Sequence, residues 1–236
     1  KILNMKKNLG HARCNAVGLR FLKKNETFDY VIIMDSDGED RPIEIKDLID
    51  MVERDPNTSV VAKRIKRSEG FSFKLLYEIH KLITLIFTGK KINFGNYSCI
   101  SNEDVNIIFD KPSLWSSFSG TVKKNIKKLN EVNSIRGMRY FGPSKMSFLN
   151  LIIHSFSIIA VFKYTVFFRS TLIFIILSYL NIYFDLVTAP TQILLILFNL
   201  IIFLVSFRED EKKIQNSNEN ISYEGVKFTE KLKDES

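Results

Sequence analysis

Two long apolar runs near the C-terminal end constrain this chain more than any other feature. Residues 170–187 and 191–207 are almost free of charge, and residues 188–190 (Thr-Ala-Pro) separate them. Each run is close to the roughly 20 residues that a helix needs to cross the hydrocarbon layer of a bilayer. Few helices in globular cores are apolar on every side for so long. The sequence therefore predicts a hairpin of two transmembrane helices within residues 164–207.

Basic residues set the expected orientation of this hairpin. Lys163 and Arg169 precede it, Arg208, Lys212 and Lys213 follow it, and the intervening loop has neither Lys nor Arg. Cytoplasmic flanks of membrane helices carry the excess of Lys and Arg. We therefore expect an integral protein of a bacterial-type inner membrane, with the domain before the hairpin and the tail after it both in the cytoplasm.

The distribution of charge divides the chain into four segments. Charged residues are frequent in residues 1–147, which we expect to form a domain outside the membrane. Residues 148–163 mix an apolar face with Asn, His and Ser, which is typical of an amphipathic helix lying in the headgroup plane. The hairpin follows at 164–207. The tail, 208–236, is rich in charge and should be mobile or loosely attached, apart from a short ordered piece at 221–228.

The N-terminal segment has the pattern of an α/β domain. Residues 30–34 form an apolar run that resembles a buried parallel strand, and residues 59–62 form a second, shorter run. Between them, apolar residues recur at helical spacing over residues 45–52. A helix with Ala12 and Ala16 on one face precedes the first strand. This order of helix, strand, helix and strand indicates a parallel-rich sheet flanked by helices.

Three acidic residues follow the first apolar strand at alternate positions. Alternate side chains of an extended segment point the same way, so Asp35, Asp37 and Glu39 can converge on one cation. Carboxylate oxygens suit Mg²⁺ or Mn²⁺, which would leave coordination positions for nucleotide phosphates. The alternative is a solvated turn that only ends the strand, because Asp, Ser and Gly are ordinary turn formers.

Composition excludes several other classes of protein. The formal charge is +8, yet no known nucleic-acid-binding module is present, and the basic residues are not interleaved with stacking aromatics. Phosphorylated substrates and an anionic membrane surface explain the charge better. Cys14 and Cys99 are the only cysteines, which indicates a reducing compartment and no disulfide framework. The chain opens with Lys1 rather than Met, so we expect a fragment.

Residues 35–44 (DSDGEDRPIE) resemble the metal-binding segment of family 2 glycosyltransferases, in particular polyprenyl-phosphate glycosyltransferases of the dolichol-phosphate mannose synthase type. Their motif reads Asp-x-Asp-x-Gln-x-x-Pro-Glu. Here Glu39 replaces the usual Gln, and one extra residue separates Pro42 from Glu44. The resemblance extends over residues 4–147 and implies a GT-A nucleotide-sugar-binding fold. It also implies that Asp35 contacts the nucleotide and that Asp37 takes part in catalysis.

The segment before the metal-binding strand carries part of the same resemblance. Asn8 and Gly10 open a pattern, Asn-x-Gly-x-Ala-x-x-x-Ala-x-Gly, that is similar to the family's nucleotide-binding segment. The resemblance implies a contact between these two residues and the nucleotide. A well-packed helix start explains most of the same residues.

Basic residues at two places resemble the family's phosphate-binding groups. Arg64 and Arg67 leave the end of the second strand, and guanidinium groups grip phosphate with two parallel hydrogen bonds. Arg139, Ser144 and Lys145 belong to a segment similar to Arg-x-x-Gly-x-Ser-Lys-Tyr-Ser, which in relatives lies over the donor and the lipid phosphate. A solvated basic loop is the alternative for Arg64 and Arg67. For the segment that contains Arg139, the alternative is a basic loop that meets only lipid headgroups.

One position departs from the family pattern. Many relatives have Gly-Asp-Phe-Arg-Leu-Met-Ser where residues 95–101 lie, so Asn96 replaces their Asp and Ser98 replaces their Arg. An amide cannot accept a proton as a general base at neutral pH. A catalytic role of Asn96 would therefore consist in orienting a sugar hydroxyl.

The resemblance implies a metal-dependent, inverting enzyme. It would move a sugar from a nucleotide-diphosphate donor to a polyprenyl phosphate at the cytoplasmic face. Another cell-surface glycan as acceptor is one alternative. A catalytically silent membrane partner is a second, because relatives begin with a strand and a Pro-x-Tyr-Asn-Glu-like turn that precede the segment present here. The sequence is also compatible with a homo-oligomer.

Overall fold

The computed structural model describes residues 2–66, 71–142 and 147–225. The strands are β1 (Ile2–Met5), β2 (Tyr30–Ile33), β3 (Ser59–Lys66), β4 (Phe94–Ser101), β5 (Leu129–Ile135) and β6 (Ile221–Gly225). The helices are α1 (His11–Asn25), α2 (Ile45–Arg54), α3 (Phe71–Thr88), α4 (Asn102–Ile108), α5 (Phe118–Asn125), α6 (Phe148–Ala160), α7 (Lys163–Ser206) and α8 (Glu211–Gln215). The architecture is α/β, as the sequence predicts.

The central sheet is mixed, so the expectation of a parallel-rich sheet is wrong. Its strand order is β2-β4-β3-β5, and β4 runs antiparallel to both of its neighbours. Only β3 and β5 pair in parallel among the described strands. The strands β2, β3 and β5 do point the same way, as the alternation with helices requires. The chain after α3 returns as β4 and lies between β2 and β3, which separates the two strands that the sequence pattern would make neighbours.

The strand β2 forms an edge of the described sheet, and the expectation of a buried parallel strand is therefore also wrong. It pairs with β4 alone, with Val31 opposite Ile100 and Ile33 opposite Ser98. All four of its residues are half-buried. Its apolar run reflects helices packing on both faces of the sheet. The loop that follows it, with Asp35 and Asp37, thus lies at a sheet edge.

Helices cover the sheet on both faces. On one face, Leu48 and Val52 of α2 pack against Val60 and Tyr97. The other face packs against α1, α4 and α5 in a larger cluster, which contains Trp115. Each large apolar side chain buried in this way contributes about 1.5–3 kcal/mol of transfer free energy.

The larger core extends from the sheet domain into the base of α6 and α7. Ile159, Val166 and Ile202 are fully buried and belong to the same cluster as the residues of α1 and α5. The close approach of α6 requires a small residue on α5, because a Cβ atom on Gly120 would lie 3.0 Å from Val161 Cγ2. The helix expected at 148–163 is therefore present as α6, and its C-terminal half is buried in the domain core.

The helix α7 reverses direction at Phe184, where φ is −140° and ψ is 49°. Gln192 Nε2 donates to Ser178 Oγ at 2.8 Å. In a straight helix these two residues would be separated by roughly 21 Å along the axis. Lys163 Nζ and Glu209 Oε2, near the two ends, are likewise 2.8 Å apart. The segment is thus a hairpin of two helical arms.

The reversal lies upstream of the place that the sequence indicates. We expected it at residues 188–190, but these residues are helical, and Pro190 lies near the start of the second arm. By length and composition, one helical stretch of the described residues, Lys163–Gln215, is apolar enough to cross a membrane, and its most apolar 18-residue window has a mean hydropathy of 2.2.

The tail after the hairpin is ordered up to residue 225, against the expectation that it would be mobile. Ile214 of α8 is fully buried, and Arg20 Nη2 of α1 donates to the carbonyl oxygen of Gln215 at 3.2 Å. The strand β6 then pairs antiparallel with β1. The ordered piece expected at 221–228 is thus present through Gly225, and the remainder lies outside the described residues. Composition alone did not predict this packing, because the segment is mostly charged and only the apolar Ile214 holds it against the core.

Candidate functional site

The loop after β2 holds two of the predicted site residues, Asp35 and Asp37, in a tight turn. Asp37 Oδ1 accepts a hydrogen bond from the Glu39 N–H at 3.0 Å. Gly38 has a φ of 95°, a conformation that L side chains rarely adopt. The sequence places glycine at the position where the backbone needs it, and the turn brings both aspartates to the same edge of the sheet.

A second loop, which follows β5, packs directly on the first. The Gly137 N–H donates to the Glu39 carbonyl oxygen and the Tyr140 N–H to that of Asp37, each at 2.8 Å. A Cβ atom on Gly137 would lie 2.3 Å from the Gly38 carbonyl oxygen. Backbone contact this close is possible only with glycine, so the two loops form one unit.

Arginines of the second loop face the acidic residues of the first. Arg139 Nη1 lies 3.0 Å from Asp37 Oδ2, and Arg139 Nε lies 2.9 Å from Glu39 Oε1. Glu39 also pairs with Arg136. The resemblance indicated Arg139, whereas the sequence patterns did not identify Arg136. Its position three residues before Arg139, just after a strand, is the signal that would have found it.

The three predicted metal ligands therefore differ in their surroundings. Glu39 is held by the guanidinium groups of Arg136 and Arg139, Asp37 is paired with Arg139 alone, and Asp35 accepts a hydrogen bond from Asn96. Asp35 and Asp37 supply the carboxylate oxygens that Mg²⁺ or Mn²⁺ prefers. In the part of the chain that the structure describes, no group of three or more His, Cys, Asp or Glu residues is arranged to hold a metal ion. A cation at this site would use Asp35 and Asp37 together with oxygens from a bound substrate.

Asp35 is oriented from two sides. Its Oδ1 atom accepts a hydrogen bond from Asn96 Nδ2 at 3.3 Å, and its backbone N–H donates to Asp40 Oδ2 at 2.9 Å. Asn96 lies on β4, the neighbouring strand, and is 8% exposed. An amide donor at this position holds the Asp35 carboxylate in place. The predicted contact of Asn96 with a sugar hydroxyl stays a prediction.

Asp40 and Arg64 form the inner wall of the site. Asp40 is 3% exposed, and burial raises its pKa even though it accepts a backbone hydrogen bond and Arg64 Nη2 lies 3.7 Å from its Oδ1 atom. Gly95 makes room for the arginine, because a Cβ atom there would lie 2.8 Å from Arg64 Nη2. Arg64 thus reaches the site edge that the sequence predicts, while its role in phosphate binding stays a prediction.

The carboxylate of Glu44 connects the segment after the first loop to the end of β5. Its carboxylate accepts hydrogen bonds from Ser134 Oγ at 2.7 Å, from the Ile135 N–H at 2.9 Å and from Arg41 Nε at 3.0 Å. Burial alone would raise the pKa of Glu44, but these donors bring it below its ordinary value. A buried carboxylate with three donors fixes the end of β5 against the turn that follows Arg41.

Asn8 and Gly10 form a local turn at the start of α1. The Gly10 N–H donates to Asn8 Oδ1 at 3.0 Å, and Gly10 has a φ of 85°. This arrangement explains both residues as a helix start. Burial lowers the pKa of His11, the next residue, and the charge of Asp35 acts against this shift. A nucleotide contact of Asn8 and Gly10 stays a prediction.

The remaining predicted residues cannot be placed. Arg67, Ser144 and Lys145 lie outside the described residues, so their proposed contacts with phosphate stay predictions.

Comparison with known proteins agrees with this geometry. The model of the family described as "Glycosyl transferase family 2" matches residues 1–118, half of the chain. The match includes Asp35, Asp37, Arg64 and Asn96 and ends before the loop of Arg136 and Arg139. No curated protein matches the chain. A carboxylate pair at a sheet edge in an α/β domain, within a segment that fits the family model, leads to one conclusion: the chain belongs to the family 2 glycosyltransferases.

Proposed function

We propose that this protein is a membrane-bound glycosyltransferase that moves a sugar from a nucleotide-diphosphate donor to a polyprenyl phosphate at the cytoplasmic face. One observation carries the proposal. The Asp35–Asp37 turn, lined by Arg64 and Arg139, belongs to a domain whose core extends into the base of an apolar helical hairpin. An acidic and basic site beside a membrane surface suits a phosphate-bearing donor and a lipid-borne phosphate acceptor.

Asp35 and Asp37 would hold Mg²⁺ or Mn²⁺ with the diphosphate of the donor. When bound, the cation stabilises the negative charge that develops on the departing diphosphate. The chain's own residues position the reactants. Asn96 fixes the carboxylate of Asp35. Arg64 and Arg139 supply guanidinium groups for phosphate oxygens on either side of the aspartate turn.

Asn96, which replaces the Asp of many relatives, is compatible with an acceptor that is already a phosphate. A phosphate oxygen is anionic at neutral pH and attacks without losing a proton, so a strong general base is unnecessary. A neutral amide next to Asp35 is then compatible with catalysis. Direct attack on the sugar would invert the configuration of its anomeric carbon, as the family resemblance implies.

The membrane part of the proposal depends on the hairpin. Each arm of α7 contains roughly 20 residues, about 30 Å in length, which matches the hydrocarbon thickness. Apolar side chains on α3 next to the hairpin are also exposed, among them Leu75, Leu82 and Ile86. We infer that both arms cross the bilayer and that α3 and the start of α6 lie against it.

Two alternatives have specific support. Ser98, where relatives have Arg, favours another cell-surface glycan as the acceptor. The engagement of Glu39 by Arg136 and Arg139 favours a silent partner subunit, because it removes one candidate metal ligand.

The deciding experiment measures sugar transfer in membranes that contain the full-length protein, polyprenyl phosphate, and Mg²⁺ or Mn²⁺. We expect lipid-linked sugar from the wild type and none above background from Asp37→Asn. Asp47→Asn, which alters an exposed carboxylate on α2, is the matched control and should behave as the wild type. No product with any common sugar nucleotide, from protein that is correctly inserted, would move the assignment to one of the two alternatives.

A further inference from the structure

An arginine fixes the C-terminal end of α3 against the first arm of the hairpin. Arg169 Nη1 donates a hydrogen bond to the carbonyl oxygen of Ile86 at 2.8 Å. Gly89 follows the helix with a φ of 70°, and a Cβ atom on it would lie 2.5 Å from Arg169 Nη2. The guanidinium group therefore lies directly on the backbone at the end of α3, in a space that glycine leaves open.

Two lysines follow this contact immediately in the sequence. Lys90 and Lys91 are both exposed, and the Lys90 N–H donates to Thr88 Oγ1 at 3.1 Å, which fixes the turn that carries them. Consecutive Cα atoms are about 3.8 Å apart, so both lysine side chains begin within about 8 Å of Gly89. We call Lys90, Lys91 and Arg169 the basic cluster. It lies where α3 meets the hairpin.

The chain provides no acidic residue near the basic cluster to neutralise it. No Asp or Glu occurs between Glu78 and Glu103 or between Glu131 and Asp185. Within the described ranges, the three members of the cluster form no ion pair. The two ammonium groups, and the N–H groups of the arginine that do not bind Ile86, are therefore available to an anion.

An exposed apolar stripe on α3 leads to the basic cluster. Four side chains recur at helical spacing on one side of the helix, each between 43% and 57% exposed: Leu75, Ile79, Leu82 and Ile86. Another side of α3 packs on the hairpin, where the rings of Phe87 and Phe198 have centroids 4.4 Å apart. An outward apolar stripe that ends in cations is typical of a helix at a membrane surface.

The basic cluster lies at the same edge of the sheet as the aspartate turn. The strand β4 begins at Phe94, opposite Lys63 near the end of β3, and runs antiparallel to β3. The Arg64 N–H donates to the Asn93 carbonyl oxygen at 3.3 Å. The segment between the cluster and β4 therefore contacts the arginine of the site wall. A membrane surface bound at the cluster would hold this edge of the site at the level of the headgroups.

We propose that the basic cluster binds the phosphate headgroup of an anionic phospholipid, while the apolar stripe of α3 lies on the acyl chains beside the hairpin. Cations next to an anionic bilayer surface are attracted to it, and guanidinium and ammonium groups both bind phosphate. A helix C-terminus also favours nearby cations. That effect explains Arg169, but the lysine side chains donate to no carbonyl within the described ranges. The inference rests on the membrane part of the proposed function.

Native mass spectrometry of the full-length protein in a neutral detergent, without sugar nucleotide, would measure lipid binding. The ligands are phosphatidylglycerol and phosphatidylcholine with the same acyl chains, and glycerophosphoglycerol, which is the headgroup without chains. The variants are Lys90→Gln/Lys91→Gln and Arg169→Gln. The matched control is Lys127→Gln/Lys128→Gln, which removes two adjacent exposed lysines before β5, at the opposite edge of the sheet.

We expect the wild type to bind phosphatidylglycerol more tightly than phosphatidylcholine. Each variant should weaken binding of phosphatidylglycerol by at least about fivefold, the factor that corresponds to one cation near an anionic surface, and leave the affinity for phosphatidylcholine unchanged. The control should match the wild type. Equal affinity of the wild type for both phospholipids, or an equal loss in the control, would overturn the proposal. Equally tight binding of glycerophosphoglycerol would also refute it, because the apolar stripe would then contribute nothing.

A structural role of Arg169 is separated by the conservative variant and by thermal unfolding. Arg169→Lys keeps the charge and should retain the preference for phosphatidylglycerol that Arg169→Gln loses. Lys90→Gln/Lys91→Gln should unfold at the wild-type temperature without lipid, because its side chains are exposed. Phosphatidylglycerol should then raise the unfolding temperature of the wild type more than that of this variant. An equal rise in both proteins would refute the lipid site. Sugar transfer is not measured, so either proposal can fail without the other.

Discussion

The Nη1 atom of Arg139 lies 3.0 Å from Oδ2 of Asp37, and the same guanidinium reaches Glu39 through Nε at 2.9 Å. One positive group thus bridges two carboxylates that would otherwise repel each other. Backbone hydrogen bonds from Gly137 and Tyr140 hold the loop that carries it. Arg139 therefore depends on the aspartate turn for its position, and the turn depends on Arg139 for its charge balance.

Arg139→Gln should reduce sugar transfer by about 100-fold, the usual loss when one preorganised donor to a developing charge is removed. Arg139→Lys should lose less, because it keeps the charge without the planar fork. Initial rates against donor concentration would measure both variants. Arg54→Gln, an exposed arginine on α2, is the control. A wild-type rate from Arg139→Gln would exclude a role in catalysis.

Gly137→Ala should separate the two loops. The new Cβ atom would lie 2.3 Å from the Gly38 carbonyl oxygen, and overpacking of this kind costs about 1–3 kcal/mol. Gly18→Ala is the opposite case, since nothing lies within 4 Å of its Cβ position within α1. It should stabilise the protein by about 0.5–1 kcal/mol. Chemical denaturation would measure both changes, and equal stability of the two variants would contradict the close approach of the loops.

Glu44 should make stability depend on pH in the acid range. Because its pKa is lower in the folded protein than in the unfolded chain, the unfolded chain binds more protons between the two values. Its contribution is complete above the ordinary pKa of 4.5 and is lost as pH falls below it. Glu44→Gln should therefore be less stable at neutral pH, by about 1–3 kcal/mol, and lose less stability on acidification.

Unfolding free energies between pH 3 and 7 would test the Glu44 prediction. Glu53→Gln, an exposed residue of the same helix α2, is the control and should follow the wild-type curve. Parallel curves for Glu44→Gln and the wild type would show that the carboxylate does not contribute through its charge.

The reversal at Phe184 can be tested by cross-linking. In a Cys14→Ser background, Ser178→Cys with Gln192→Cys should be joined by a short bismaleimide linker, because the native side chains are in hydrogen-bond contact across the two arms. The pair Ser178→Cys with Leu204→Cys should not, since these residues lie at different levels of the two arms. A shift in electrophoretic mobility would detect the product. No cross-link in the first pair would favour a continuous helix.

The tip of the hairpin should be accessible only from the side opposite the catalytic domain. Asp185 is exposed next to the reversal, and Lys212 lies beyond the other end of the second arm. In inverted vesicles, a membrane-impermeant maleimide should label Lys212→Cys and spare Asp185→Cys. Intact cells should give the reverse result. Labelling of both cysteines from one side would contradict a spanning hairpin.

Local sequence patterns predicted the features that depend on neighbouring residues. The apolar run before Asp35, the glycine at position 38 and the α6 helix all follow from short-range chemistry. The contact of Arg139 with Asp37 links positions about a hundred residues apart, and only family resemblance pointed to that region. The insertion of β4 between β2 and β3 has no local signal, because register and adjacency depend on packing across the whole sheet. Likewise, no local pattern in the tail predicts that Ile214 is buried.

The meeting of Lys163 with Glu209 has a practical consequence. The two ends of the hairpin are in contact, and the chain beyond it returns to the domain, where β6 pairs with β1. The hairpin is therefore an insertion into a closed domain rather than a terminal anchor. Cutting the chain before residue 163 would remove β6 and α8 and expose the core beneath them. A water-soluble form should instead come from excising only the outer part of the hairpin, residues 174–194, which keeps the buried Val166 and Ile202, and joining the two arms with a short glycine-rich link.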